Sequence, residues 1–480
     1  MMSYNPLAWY NCIDPGFDYN TEESATGNRM DVAMNRVGFY EFFEEPIIDG
    51  ILISRTLLEG KVNLIKENGY YHVSANSGKR IFPDIPAYCK TRGTDFITFA
   101  DPGTWSYANY FELPESLYDT DDLIDYYSHM RYDLAGSVDW PIVDRIMQTV
   151  DGKRKFSELD EETKEHRRIL TLELAEDFIK KCRKRGEINF MPFGTIQGYS
   201  TKTYRESLRK VLKMGYEYIA IGGLPAYSEE RVVDLLNMIK DEIDRAGMRG
   251  IGMHMYGRFP APDYTAHYLE CYVSSFDNNS SFIYASKNDC AYVNPDYRYH
   301  GNVPIKPCCS VKIPMESGPM LSRVRRYHPE SYESTLAHCK KSFRLFVKYV
   351  KTGEQKDMRN FLRAYTDLNF ALEEVRRVKL KNEAKILRHV EIGRNALESK
   401  GWQRCGCTSC RTIRDHIYLS RGTNRTYHAF AHNTYVQYTR LQRELKKAKK
   451  NVSYNYDQTK LRKIHKLNNL ERTAIKKDAR

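Results

Sequence analysis

Between residues 91 and about 280 the chain alternates short apolar runs with amphipathic stretches, and this limits its fold more than any other feature. The runs are DFITFADPG, LAGSVDWP, INFMPFGTIQG, YEYIAIGG, IGMHMYG and YVSSFDNN, each closing near a Gly, Asp or Pro. Between them lie stretches such as TYRESLRKVLKMG and SEERVVDLLNMIKDEIDRAG. In the latter, Val232, Leu235, Leu236, Met238, Ile239 and Ile243 recur at helical spacing. Apolar runs without polar alternation suit parallel strands covered on both faces. Repeated strand–helix units therefore predict a (β/α) barrel, with an open doubly wound sheet as the alternative.

The 480 residues exceed the roughly 250 that a barrel needs. Residues 1–90 read as a lead-in with short strands in GILISRTLLEG and GYYHVSA, and the acidic stretch from Glu115 to Asp125 as a surface loop and helix. The expected divisions are the lead-in, a barrel over 91–332, a helical and metal-binding segment over 333–440, and a basic helical tail over 441–480. No glycine-rich dinucleotide fingerprint or Walker loop occurs, so neither a Rossmann site nor a phosphate loop is expected.

The tail holds 13 Lys/Arg against 4 Asp/Glu, which accounts for most of the net charge of +12. Blocks of this kind often bind nucleic acid, and Lys446, Lys447, Lys449 and Lys450 are the first candidates. The alternative is a solvated helix. No apolar run of 18 residues predicts a membrane span, and the N-terminus has no signal-peptide pattern. The eleven scattered cysteines fit thiols in a reducing compartment, so a cytoplasmic location, in a bacterium or a phage-infected host, is expected.

Three of those cysteines fall in CGCTSC, residues 405–410. A disulfide would use two and strand the third, and Cys405 and Cys407 are too close for an unstrained bridge. A soft metal would use Cys405, Cys407 and Cys410 and require a fourth ligand, with His416, His428 and His432 as candidates. Three thiolates and one imidazole favour zinc over an iron–sulfur cluster and make a closed, structural site. The alternative is three free thiols on a loop.

Barrel chemistry gathers where strands end. Here the strand ends carry Asp101, Asp139, Gln197, the pair Gly222–Gly223 and Asp277. Glycosidic chemistry divides two duties between carboxylates, one attacking the anomeric carbon and one moving the proton. A third carboxylate can read a base edge. For any one Asp the alternative is a helix cap or turn residue. The pattern by itself reads as a barrel enzyme of glycosyl chemistry.

In order along the chain, these motifs resemble those of the tRNA-guanine transglycosylase superfamily. DPGTWSY from Asp101 is similar to the family's DSGGFQ, VDW around Asp139 to its FDE, and IQGYS with Gln197 to its VQGG. IGGLPAYSEE, with Gly222, Gly223 and Leu224, is similar to IGGLAVGE; HMYGRFP from His254 resembles HLFGAGHP, and FDNNSSFIYA from Asp277 resembles FDSASYALYA. The family's CxCxxC…HN signature matches Cys405, Cys407, Cys410 and His432–Asn433. The resemblance spans roughly residues 90–440 and is most like the DpdA branch, phage and bacterial relatives that act on DNA. Pro102, Trp105 and Tyr199 depart from the family's pattern, so the base pocket differs. No PUA-like RNA-binding domain is expected after the barrel from these residues.

The resemblance implies a TIM-type (β/α)8 barrel with an inserted Cys3His zinc subdomain and a basic helical C-terminal extension. It implies a pentosyltransferase that exchanges guanine in DNA for a free 7-deazaguanine such as preQ0 (7-cyano-7-deazaguanine). Asp277 would be the nucleophile and Asp101 the general acid/base. Asp139, Gln197, Gly222, Gly223 and Leu224 would hold the base, with Trp105 and Tyr256 stacking on it. His254 reads as a buried structural histidine. Structural Zn2+ is the only cofactor implied, and a homodimer is expected by analogy. The alternatives are exchange in tRNA and a non-catalytic nucleic-acid-binding subunit.

Overall fold

The computed structural model describes residues 2–5, 12–14, 16–23, 37–38, 42–45, 47–56, 63–67, 70–74, 96–110, 112–114, 117–150, 153–260, 262–286, 290–291, 308–309, 311–375, 383–449 and 456–478. The chain forms two compact units, one of Met1–Trp9, Ile48–Asn279 and Leu441–Arg480, the other of Tyr10–Ile47 and Ser280–Arg440. No helix among the described residues is long and apolar enough to cross a membrane.

The first unit contains a closed barrel of eight parallel strands. These are β1 (Met2–Asn5), β2 (Gly50–Ser54), β3 (Ile97–Asp101), β4 (Leu134–Gly136), β5 (Met191–Ile196), β6 (Tyr218–Ile221), β7 (Gly252–Met255) and β8 (Val273–Asp277). β3 to β8 are the six apolar runs of the sequence. Closure comes from β1, which pairs with β8 on one side and β2 on the other. The barrel therefore draws two staves from residues 1–90, a lead-in by sequence, and gives up the chain from Ser280 to the second unit. In β1 the sequence MSYN carries no apolar run to betray it.

Helices follow β3 to β7: α1 (Thr120–Met130), α2 (Glu161–Arg185), α3 (Thr201–Lys213), α4 (Glu229–Arg245) and the short α5 (Thr265–Glu270). The starts of α1 to α4 are set by side-chain caps. Asp119, Asp160, Ser200 and Ser228 each accept a hydrogen bond from a backbone N–H of the first turn. Two departures from a plain βα repeat matter. An antiparallel ribbon (Asn63–Glu67 with Tyr70–Ser74) follows β2, and a second one (Arg145–Val150 with Lys153–Glu158) stands between β4 and α2.

The barrel is filled, not hollow. Leu52, Phe99, Leu134, Met191, Phe193, Tyr218 and Ala220 pack into one cluster, with the Phe99 and Phe193 rings 4.5 Å apart. Tyr456 and Leu461 complete this cluster. They come from the segment that the sequence reads as a basic helical tail, which here packs one of its faces into the barrel. Counting the second unit's α6 (Pro329–Thr352), α7 (Gln355–Val375), α8 (Glu383–Ser399) and α9 (Thr408–Ile413), and α10 (Thr423–Ala448), the last helix is α11 (Thr459–Asp478). In α11 His465 Nδ1 lies 2.8 Å from Asp133 Oδ2, and Asn468 Nδ2 donates to Tyr132 O, Asp133 Oδ1 and Asn189 O. Asp133 immediately precedes β4, so α11 closes the N-terminal end of the barrel. Its positive charge is the outer face of an amphipathic plug: Leu461, His465 and Asn468 are buried while Arg462, Lys463 and Lys466 are exposed.

In the second unit α6 and α7 are neighbours joined through Gly353. Phe346 and Phe361 meet edge-on at 5.3 Å, and Ser342 Oγ donates to Ala364 O at 3.0 Å.

Candidate active site and candidate metal centre

The C-terminal strand ends of the barrel carry the expected side chains. Asp101 ends β3, Asp277 ends β8, Gln197 directly follows β5, and Asp139 stands three residues beyond β4. Asp139 and Asp277 are buried.

Asp277 is held by two donors. Its Oδ1 accepts the Gly257 N–H at 2.8 Å and lies 3.2 Å from His254 Nε2. Gly257 sits at φ +66°, and a side chain there would meet Pro225 at 2.7 Å, so the turn that aims its N–H at Asp277 requires glycine. His254 Nδ1 lies 2.7 Å from Ser275 Oγ, which is 2.6 Å from the Tyr218 hydroxyl. A bulge at this point pairs Met253 with Val273 and His254 with Ser275, leaving Ser274 as the extra residue. Burial pushes the His254 pKa down, partly offset by Asp277, so the ring is neutral at physiological pH. A carboxylate only accepts, so Nε2 carries the proton toward Asp277 and Nδ1 takes the Ser275 hydroxyl. The sequence singled out His254 as structural; the structure makes it a positioning residue for Asp277.

Asp101 sits in a different field. Burial, then the charges of Asp139 and Asp277, raise its pKa well above the usual carboxylate range, against one opposing hydrogen bond from the Gly103 N–H. Its acid form therefore persists to higher pH than that of an ordinary carboxyl group. Asp139 is also raised by burial, but Gln197 and Thr104 restrain the shift. Its Oδ2 accepts from Gln197 Nε2 at 2.6 Å and its Oδ1 from Thr104 Oγ1 at 2.9 Å. Thr104 lies within the DPGTWSY motif but was not among the expected site residues.

Gly222 serves differently from expectation. Its N–H is spent on Ile196 O and its carbonyl on the Tyr204 hydroxyl. A Cβ there would lie 2.1 Å from Gln197 Nε2, so the missing side chain makes room for Gln197. Gly223 opens the 3-10 turn Leu224–Ala226, and Leu224 is fully buried. Trp105 is 62% exposed, with no ring partner among the described residues. Tyr256 lies deeper, its ring 4.9 Å from His254 and 6.3 Å from Phe99, both edge-on. Two polar atoms here, Gln197 Oε1 and the Tyr256 hydroxyl, are buried without a hydrogen-bond partner among the described residues. Such atoms are costly unless a ligand satisfies them.

Fully buried Arg167 of α2 locks the loops that follow β3 and β4. It donates to Ala108 O and Tyr110 O on the first, to Pro141 O on the second, and lies over the Trp140 ring at 4.5 Å. Nothing in the sequence marks Arg167 for this. Of the four lysines proposed for nucleic acid, Lys446, Lys447 and Lys449 are exposed at or just past the end of α10, with Lys447 bonded to Glu444 at 2.9 Å. Lys450 lies outside the described residues.

The second unit gathers Cys405, Cys407, Cys410 and His432, all buried, with their donor atoms within 4.8 Å of one another. Cys407 caps α9, and its Sγ accepts the Cys410 N–H at 3.3 Å. His432 Nδ1 lies 3.5, 3.3 and 3.3 Å from the three sulfurs. One tetrahedral ion with the usual metal–sulfur and metal–nitrogen lengths would set that separation at about 3.5 Å. The four donors therefore fit a single bound metal. His428 instead meets Ser409 Oγ at 3.0 Å, and His416 packs against Phe346 and Tyr19. Burial pushes each of these two pKa values down to about 3.

No family model matches this chain. A DNA-guanine transglycosylase from Salmonella montevideo is 26% identical to it over 441 residues, which cover 90% of this chain and 94% of that one.

Proposed function

We propose, from the premise that the chain belongs to the tRNA-guanine transglycosylase superfamily and is most like its DNA-acting branch, that it exchanges guanine in DNA for a 7-deazaguanine base of the preQ0 type. The observation that carries this reading is the contrast between two aspartates of one barrel. Asp277 is held by two hydrogen-bond donors, while Asp101 is pushed toward the protonated form. That is the division of labour that glycosidic exchange requires.

The target nucleotide would leave the base stack to reach this site. Gln197 Oε1, Asp139 and the Tyr256 hydroxyl supply two acceptors and a donor suited to the amine, ring N–H and carbonyl of guanine, beside the Gly223 backbone. Trp105 covers the exposed side. An Asp277 oxygen attacks C1′ as the C1′–N9 bond breaks, and the guanine keeps that electron pair and takes the Asp101 proton. Asp101, now ionised, receives the N9 proton of the incoming base. N9 attacks C1′, and Asp277 departs as carboxylate. One glycosidic bond replaces another, so no energy source is consumed. A 7-deazaguanine carries carbon at position 7 and resists protonation there, which makes the exchange one-way. The Cys3His group is assigned to structural zinc, since four protein donors leave no open position.

The covalent step is tested by mass spectrometry of the protein after incubation with a guanine-containing DNA oligonucleotide. The wild type is expected to carry one DNA adduct, absent in Asp277→Asn. An adduct that persists in Asp277→Asn would assign the nucleophile elsewhere.

A further inference from the structure

Asp277 ends a hydrogen-bonded chain whose far end is a residue that no motif marks. Tyr218 opens β6, and its hydroxyl reaches past β7 to β8, where it lies 2.6 Å from Ser275 Oγ. The barrel is built for this reach. Tyr218 pairs with Gly252 of β7, and a Cβ there would lie 2.4 Å from both Cδ2 and Cε2 of the tyrosine ring. The missing side chain leaves the ring its path. Tyr456 and Phe193 meet the ring edge-on, with centroids 5.6 and 6.3 Å away, and Tyr218 is fully buried.

The bulge in β8 supplies a second partner. Consecutive strand residues ordinarily face opposite sides of a sheet, yet Ser274 Oγ also lies 3.1 Å from the Tyr218 hydroxyl. The extra residue between the pairs Met253–Val273 and His254–Ser275 brings both serine hydroxyls to one phenol. Both serines are buried. Burial pushes the Tyr218 pKa up to about 12, opposed by the two serines, so the phenol keeps its proton through the physiological range.

The order of donors follows from the last member of the chain. A carboxylate only accepts, so His254 donates its Nε2 proton to Asp277 Oδ1. The Nδ1 of the neutral ring is then bare, and the Ser275 hydroxyl donates to it at 2.7 Å. Ser275 has one proton, so its oxygen accepts the Tyr218 proton. The one proton of Ser274 serves the Tyr218 oxygen or Met253 O, each at 3.1 Å. We propose that Tyr218 is a positioning residue for the nucleophile: its hydroxyl turns the Ser275 proton onto His254 Nδ1, which fixes the ring with Nε2–H on Asp277. The proposal rests on the reading of Asp277 given above.

The test compares the wild type with Tyr218→Phe, His254→Ala, the two combined, and Tyr216→Phe as a control. Tyr216 is equally buried, and its hydroxyl donates to Ala175 O at 2.6 Å, outside this chain. In guanine exchange on DNA, Tyr218→Phe is expected to lower kcat about 10-fold with KM unchanged, the loss of one hydrogen bond that aims the nucleophile. Tyr216→Phe should keep the wild-type kcat. In the His254→Ala background Tyr218→Phe should lower kcat no further, because the chain is already cut. Nitrogen NMR of isotope-labelled histidine, with the His254 signals identified by their loss in His254→Ala, reads the chain without any substrate. It should show a bare Nδ1 and a protonated Nε2, and the Nδ1 resonance should move in Tyr218→Phe but not in Tyr216→Phe. Equal kcat losses in the two tyrosine variants, or additive losses in the combined variant, overturn the proposal, since either marks packing alone. So does an Nδ1 resonance that Tyr218→Phe leaves in place. A wild type that exchanges no guanine overturns the reading of Asp277 instead, and the Nδ1 response then decides the hydrogen-bonded chain by itself.

Discussion

Asp101 and Asp277 are the same chemical group at the ends of two strands of one barrel, and their neighbours place them in different electrostatic surroundings. Asp277 meets the Gly257 N–H and His254, whereas Asp101 meets burial and two like charges. A raised pKa keeps the acid form present to higher pH, so the exchange rate should fall as pH rises through it, giving an alkaline limb in the pH–rate profile. Asp101→Asn should lose activity and limb together. His254→Ala should lower kcat about 10²-fold by releasing Asp277, with KM spared and the alkaline limb kept. A His254→Ala enzyme of normal kcat would return His254 to mere packing. At this scale the sequence was informative wherever a motif sits on a strand end, as with Asp101, Asp139 and Asp277. It was silent on contacts between distant segments. Nothing local reveals that Ser275 holds His254, that Gly222 clears space for Gln197, or that Arg167 ties two loops.

Single elements carry the next level of prediction. The helix α11 reads from composition as a charged tail, because lysines dominate any count and its buried stripe of Leu461, Ile464, His465 and Asn468 is only one face. Leu461→Ala should destabilise the barrel by about 2–5 kcal/mol, while Lys463→Ala should stay within about 0.5 kcal/mol. Denaturant titration of the two variants checks this, and equal effects would detach α11 from the core. The cysteine knuckle was the more legible element, since CxCxxC spacing has few uses. The choice of His432 over His416 and His428 needed the resemblance, and the geometry of α9 and α10 agrees with it. Metal analysis should return one zinc per chain, and chelation should lower the melting temperature, because binding and folding are linked there. Full metal content in Cys407→Ser would sink that assignment.

On the scale of the whole molecule, the strand–helix alternation of residues 91–280 was enough to name the barrel. It could not supply β1 and β2, because MSYN has no apolar pattern and closure depends on pairing across most of the chain. Nor could it show that residues 280–440 join residues 10–47 in a second compact unit. The net charge of +12 suits a polyanionic partner, and binding to DNA should weaken steeply with salt. The claim that unites fold, site and charge is exchange of guanine in DNA by way of Asp277. Plasmid DNA and bulk tRNA, each carrying labelled guanine, are offered side by side to the wild type and to Asp277→Ala with preQ0 supplied. Release of label from DNA alone, and only by the wild type, is the predicted result. Release from tRNA alone, or undiminished release by Asp277→Ala, would contradict it.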